Sequence, residues 1–371
     1  MRIAIAALLV PAAIATLVGL VLLFPYERAQ PADEVAAVRV PGTVTATAVS
    51  DCAPGEGDRG CVALTVLLTG GERAGTSIVT LVSVVRGVAP FTTGDDVRLV
   101  VTGDPADPES YQIDDFQRDV PLGLLALLFA AAVVALGRWR GVASLGALVL
   151  SGIVLVGFVL PAILAGKDPL AVAVVGCSVI MFGALYLTHG PSARTSVAVL
   201  GTLGSLVLIG LLGAGFAAAS ALTGADEDTA ALANVLGSGL DGRGIVLAGL
   251  MIGALGALDD VTVTQASAVW ELRRADPGLR PTALFTSAMR IGRDHVGAAV
   301  NTLVLAYAGA ALPLLLLFSV AERGLVDTLT SQVIATEVVR TLVGSIGLVA
   351  AVPLTTLLAV AVVTRGGVGR G

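Results

Sequence analysis

The chain has 371 residues, of which 56% are hydrophobic and 13% charged, with 45 glycines and a formal net charge of −6. A soluble globular protein carries about a quarter charged residues, so at a mean hydropathy of +0.91 most of this chain has a bilayer for its solvent. Two histidines and three cysteines exclude zinc modules, haem attachment and His-rich metal sites, the composition argues against nucleic-acid binding, and no cofactor is expected.

Crossing about 30 Å of hydrocarbon takes roughly 20 apolar residues of helix. Eight runs meet that length, near residues 3–24, 120–136, 142–164, 169–187, 196–222, 244–263, 297–319 and 341–364. The fold class predicted is therefore an α-helical polytopic membrane protein. It divides into an anchor over residues 1–24, a polar segment over 25–119, a seven-helix membrane domain over 120–364 and a tail over 365–371. Arginines sort the loops: Arg2, Arg138, Arg140, Arg194, Arg273, Arg274, Arg280, Arg290, Arg293, Arg365 and Arg370 fall on alternate connections. Lys167 and the acidic Asp226, Glu227 and Asp228 fall on the others, with the mixed Glu322, Arg323 and Asp327. The positive-inside rule then predicts a membrane protein with both termini cytoplasmic and the polar segment outside. The first run also fits an export signal, but Pro25-Tyr26-Glu27-Arg28 offers no small-x-small cleavage site, which favours an uncleaved anchor.

Within the polar segment, Val44, Val49, Val62–Leu68, Ile78–Leu81 and Val97–Val101 form β-branched runs separated by Gly70-Gly71, Gly75 and Gly94-Asp95-Asp96. These are strand and turn signals, and they predict a small β-rich extracytoplasmic domain. Cys52 and Cys61 flank a Gly-, Pro- and Asp-rich loop in what the topology makes an oxidising compartment, so a disulfide between them is expected. A metal pair is the other reading, and no histidine or third cysteine is near to complete it. Cys177, alone in an apolar run, reads as a packing residue.

Ionisable and amide groups inside the spans are costly there and carry the functional hypothesis. The run from Gly253 to Ser267 contains Asp259, Asp260, Thr262, Thr264 and Gln265. If it stays helical, a step of about 100° per residue puts Asp260, Thr264, Ser267 and Glu271 on one stripe, with Asp259, Thr262 and Ala266 beside it. Carboxylate, hydroxyl and amide oxygens are ligands for hard cations, and one carboxylate suffices for a proton. The competing reading puts both aspartates past the end of the span, at the start of an amphipathic helix from Val261 to Arg274, where acidic residues favour the helix dipole.

The connection over about 264–294 reads as two surface-lying helices broken by Ala275-Asp276-Pro277-Gly278. In the seventh run Asn301, with Thr302, Tyr307 and Pro313 beyond it, needs amide partners, which Asp259, Asp260 or Gln265 would supply. Before the eighth run, Glu337 and Arg340 are three apart and predict a structural ion pair along the helix. Pro353-Leu354-Thr355-Thr356 predicts a mid-span break, as a kink whose freed carbonyls the threonines satisfy or as a discontinuous-helix binding point.

Gly256-Ala-Leu-Asp-Asp-Val-Thr-Val-Thr-Gln-Ala-Ser267, Gly292-Arg-Asp-His295, Asn301-Thr-Leu-Val-Leu-Ala-Tyr307 and Pro353-Leu-Thr-Thr356 together resemble the YibE/F family of bacterial membrane proteins, over about Val120 to Val363. The resemblance implies the same order of anchor, outside domain and membrane domain, and it carries over no catalytic residue. No Gly-x-Ser-x-Gly, His-Glu-x-x-His or comparable enzyme signature occurs. The expectation is a secondary transporter of an ion or small solute, with Asp259, Asp260, Thr264, Gln265 and Asn301 as a polar cluster between the sixth and seventh spans. Its partners would be the lipid bilayer and an ion or proton. The alternative is a membrane scaffold or signalling protein that uses the outside domain and the cytoplasmic helices as surfaces for a protein partner or a second copy.

Overall fold

Residues 2–26, 38–50, 60–84, 91–224, 241–320 and 324–365 are described by a computed structural model of the chain. They divide into two units, one of Met1–Gln30 with Val133–Gly371 and one of Pro31–Ala132.

The smaller unit is built on one five-stranded antiparallel sheet: β1 (Val38–Ser50), β2 (Gly60–Leu68), β3 (Ser77–Val84), β4 (Asp96–Val101) and β5 (Tyr111–Phe116), in the order β3-β2-β1-β4-β5. Alternation with a period of two turns Leu64, Val66 and Leu68 of β2, and Val97, Leu99 and Val101 of β4, onto one buried face. Register shifts at Val44/Ala46 and Arg98/Leu99 add local twist, and the sheet curls into a half-barrel as β3 and β5 approach each other. Gly42 sits where a Cβ would lie 2.6 Å from Val66 Cγ1, so the strand crossing needs its missing side chain. β5 is a strand that composition did not announce, because Gln112, Asp114 and Asp115 give it little β-branched character.

Among the described residues, seven helices are long and apolar enough to cross a membrane, or eight if a bent pair counts as one span. They are α1 (Arg2–Leu23), α2 (Asp119–Gly137), α3 (Trp139–Val154) continued by a π-turn (Leu155–Val159) and α4 (Leu160–Leu164), α5 (Pro169–His189), α6 (Ala193–Ala219), α7 (Gly242–Ala275) and α11 (Gln332–Arg365). The bent pair is α8 (Pro281–Ala310) and α9 (Leu312–Val320), which meet at 58°. A short α10 (Leu325–Thr330) precedes α11. Helix starts follow from local chemistry. Asp168 accepts from Ala171 N at 2.7 Å ahead of Pro169, and Ser192 accepts from Thr195 N at 3.1 Å, both N-cap bonds. Pro313 cannot donate to the ladder and its ring meets the turn before it, which accounts for the bend after Ala310.

The bundle core is made by α6, α7 and α11, with α5 against α7 and α8 against both α7 and α11. Close approach relies on small residues: a Cβ on Gly347 would lie 2.2 Å from Ile209 Cγ1, and one on Gly176 2.6 Å from Val159 Cγ2.

Two sequence expectations are corrected. The helices on either side of Asp276-Pro277-Gly278 are not separate surface helices. α7 runs unbroken through Asp259 and Asp260 to Ala275, and α8 unbroken from Pro281 to Ala310. Their ends are held by an apolar cluster of Val197, Val269, Leu284, Ala288, Ala359 and Val360, so these turns extend the bundle. Pro353 does not break α11 either; the Thr356 hydroxyl donates to Val352 O at 2.6 Å, a bond back along the helix and not to the carbonyl of Val349 that the missing Pro353 N–H leaves without its donor.

Candidate functional site

α7 presents one face to the bundle, and the helical step decides which polar groups are on it. Leu258, Thr262, Gln265 and Val269 are buried at successive turns, and Asp259 lies beside them, half-buried. Oδ1 of Asp259 is sealed from solvent and has no hydrogen-bond partner. The Thr202 hydroxyl of α6 faces this side chain and bonds the Thr262 hydroxyl at 2.8 Å. Thr262 also reaches the carbonyl of Asp259 at 3.3 Å. Both threonines are fully buried. Cys177 of α5 is the neighbour on the third side; it is a free thiol, buried, and the packing reading of it stands.

About one turn further along α7, Gln265 Nε2 donates to Ala288 O of α8 at 3.0 Å and to Thr356 Oγ1 of α11 at 2.6 Å. One amide thereby ties three helices. Gly292 makes room for it, since a Cβ there would fall 2.7 Å from Gln265 Oε1 and 2.5 Å from Val352 Cγ1. Thr355, next to Thr356, is fully buried and its hydroxyl has no partner. It stands against Gly201 of α6, where a Cβ would lie 2.2 Å from its Oγ1. Asp259, Thr262, Thr202, Thr355, Thr356 and Gln265 therefore form a polar cluster inside the bundle. Their oxygens include one unpartnered carboxylate atom and one unpartnered hydroxyl, the donor chemistry that a hard cation or a proton uses.

The predicted cluster is divided by this geometry. Asp259 and Gln265 lie inside. Asp260 is exposed, with 75% of its side chain accessible, and its Oδ2 is 3.7 Å from His295 Nε2 of α8. It borders a groove of about 450 Å³ between α7 and α8 that Gly253, Gly256, Ala298 and Thr302 also line. Thr264 donates to the carbonyl of Asp260 at 2.6 Å and takes no part in the interior. Asn301 is exposed on α8 and makes no hydrogen bond among the described residues, so it joins none of the expected partners. The stripe predicted through Asp260, Thr264, Ser267 and Glu271 is thus the outer one, and the neighbouring Asp259–Thr262–Gln265 line faces the core. The helix-cap reading is also overturned, because α7 has no terminus near either aspartate.

Sequence reasoning missed Thr202, whose signal was a hydroxyl between Gly201 and Gly204. It placed Thr355 and Thr356 in a mid-span break, as carbonyl partners or as part of a discontinuous-helix binding point, and did not join them to Gln265 or Asp259.

Nearer the start of α11, Arg340 Nη1 bonds Glu337 Oε1, and the pair is about three-quarters buried. The Arg340 guanidinium stands 6.0 Å from the Tyr307 ring centroid, and its Nε is buried without a partner. Of the expected Cys52–Cys61 disulfide, Cys61 is buried on β2, while Cys52 lies outside the described residues. Asp226, Glu227, Asp228, Glu322 and Arg323 lie outside them too. No three His, Cys, Asp or Glu side chains among the described residues stand close enough to hold a metal ion.

The family model for YibE/F-like protein matches residues 125–365, well over half the chain and all of the polar interior, in agreement with the resemblance carried by the motifs. No curated protein and no solved structure matches.

Proposed function

This chain belongs to the YibE/F-like family, and we propose that it is a secondary transporter of an ion or small solute whose pathway passes Asp259. The observation that supports this is the Asp259 carboxyl group: it lies within a 34-residue helix, at the junction of α5, α6 and α7, with one buried oxygen unpartnered. An ionisable group held inside a membrane bundle is expensive and is retained where ions or protons pass. The Thr202 and Thr262 hydroxyls supply further oxygens. Gln265 and Thr356 act as the fixed pin of the site, joining α7, α8 and α11. The tight glycine contacts at Gly201 and Gly347 are where α6 and α11 would slide past each other. Asp260, Thr264 and Asn301, candidates by sequence, have no part in this pathway.

In this reading the protein sits in the bacterial cell membrane with both termini cytoplasmic and the β-sheet unit outside, where the Cys52–Cys61 disulfide closes its loop. It performs no enzymatic step. The test is ion flux into proteoliposomes carrying the full-length protein, under imposed proton, sodium or potassium gradients. Asp259→Asn should abolish flux above that of empty vesicles, while Asp260→Asn should retain at least half of it. Flux unchanged in Asp259→Asn, or absent from the parent protein under every gradient, overturns the proposal and returns the scaffold reading to first place.

A further inference from the structure

Asp259 sits in the bundle without a countercharge. No ion pair among the described residues includes it, and each helix packed against α7 keeps its charges away. On α5 the facing group is the Cys177 thiol, and His189 is twelve residues further on, about 18 Å of helix. On α6 it is Thr202, with Arg194 eight residues before it, about 12 Å. On α11, Arg340 stands against Gly249, about 15 Å from Asp259 along α7, and is already bonded to Glu337; Arg365 is nine residues beyond Thr356. On α8, Arg290, Arg293, Asp294 and His295 are exposed, His295 reaches Asp260 and not Asp259, and the Tyr307 hydroxyl lies against Gly253. The neighbour on α7 itself, Asp260, adds only a like charge.

A lone carboxylate in such surroundings is costly, so a cation has to neutralise it. A metal ion needs a shell of oxygens, about six for magnesium and six to eight for calcium, and potassium likewise exchanges its hydration shell for a ring of oxygens. The hydroxyls around Asp259 are engaged already. Thr202 and Thr262 bond each other, Thr262 donates to the carbonyl of Asp259, and Ser205 donates to Gly201 O at 2.9 Å. Oδ1 is sealed from solvent, so water completes no shell there.

A proton asks for one oxygen only. A hydroxyl has one proton and two lone pairs. With the Thr262 proton on the carbonyl of Asp259, the Thr202 proton is the one left for the bond between the two threonines. Neither remains for the carboxyl group, while Thr202 keeps a free lone pair on the side that faces it. The group that fits this place is a donor, the O–H of a carboxylic acid.

We infer that the ion carried past Asp259 is a proton. An O–H bond forms on the carboxyl group as its negative charge is lost, and the same bond breaks on release, the proton coming from water on one side and leaving to water on the other. The inference rests on the transport reading and narrows it to one ion.

The experiment uses the full-length protein in proteoliposomes with a pH-sensitive dye inside and an imposed pH gradient, valinomycin and potassium on both sides supplying charge balance. The parent should change the internal pH at a rate that is the same with sodium or choline as the remaining cation. Asp259→Asn, which copies the shape of the neutral acid, should keep the thermal unfolding midpoint of the parent and lower the rate at least tenfold. Asp259→Glu, which keeps the titratable group, should retain at least a third of it. Isotopic sodium and rubidium uptake is followed in the same vesicles without valinomycin. Uptake of either ion with no proton movement would overturn this inference and leave the transport reading standing. Movement of none of the ions would overturn both, and proton movement unchanged in Asp259→Asn would remove Asp259 from the path.

Discussion

Replacing Gly201 with alanine tests whether the polar interior is packed as tightly as its geometry implies. A Cβ at this position would lie 2.2 Å from Thr355 Oγ1, 3.2 Å from Thr355 Cβ and 3.4 Å from its Cγ2. The first distance is more than 1 Å inside ordinary contact, so α6 and α11 must separate or Thr355 must leave its rotamer. Thr355 is fully buried, which leaves its hydroxyl nowhere to go. Overpacking of this kind costs about 1–3 kcal/mol. Thr355→Ala removes Oγ1, the one atom closer than 3.0 Å, together with Cγ2, and leaves Cβ at 3.2 Å; the hydroxyl it deletes has no hydrogen bond to lose, so that single change should cost less than about 1 kcal/mol. The double variant Gly201→Ala/Thr355→Ala should recover at least half of the Gly201→Ala loss, a coupling of about 1–2 kcal/mol of the size that contacting residues show. Equilibrium unfolding of the four proteins in mixed micelles measures the cycle. Additive effects, or a Gly201→Ala loss below about 0.3 kcal/mol, would refute the contact.

Gln265→Leu keeps the volume of the side chain but loses both interhelical hydrogen bonds. At roughly 0.6–1.7 kcal/mol for such bonds in a membrane bundle, it should destabilise by about 1–3 kcal/mol in the same assay, and a neutral result would mean that the amide does not tie the helices. In the sheet unit, the hydrogen bond from Arg118 holds the Asp115 carboxyl below its ordinary value. The pair's contribution is therefore present above the ordinary aspartate range and lost as pH falls through the lowered value. Arg118→Ala should move the Asp115 titration midpoint upward when followed by carboxyl NMR, and an unmoved midpoint would remove the pair from the account. Peptide mapping without reduction should recover Cys52 and Cys61 in one linked fragment and Cys177 as a free thiol. Two alkylated cysteines in that loop would place the sheet unit in a reducing compartment.

What was legible in the sequence depended on how many residues had to agree. Each apolar run needed only length and composition, and each falls on helix, although the seventh is divided by the 58° bend between α8 and α9. The span over 244–263 was read as ending where a surface helix begins, because Asp259-Asp260 resemble the start of a helix, yet aspartate does not terminate one, and Thr264 hydrogen-bonds back to Asp260 O within a continuous α7. Which of two adjacent aspartates faces inward turns on one step of about 100° and on where α6 lies, and only the packing of Thr202 against Thr262 decides it. Gln265 was legible as a buried amide, but its partners Ala288 and Thr356 lie 23 and 91 residues away, a separation over which periodicity says nothing. Asn301 was legible as an amide in need of a partner and was assigned the inward face of α8, because small neighbours such as Ala298, Ala299 and Thr302 do not distinguish that face from the exposed one on which it lies.

The central claim is that the interior around Asp259 is a pathway and not a sealed core. Thiol accessibility of Thr262→Cys, with Cys177→Ala and the native Cys52 and Cys61 blocked beforehand, tests it most directly, since Thr262 is fully buried yet adjoins the carboxylate. The account predicts slow labelling by a small membrane-impermeant reagent from each side of oriented vesicles, with a rate that changes when a proton or alkali-cation gradient is imposed. No labelling from either side under any gradient, with the protein folded, would contradict it and make the polar interior a structural one.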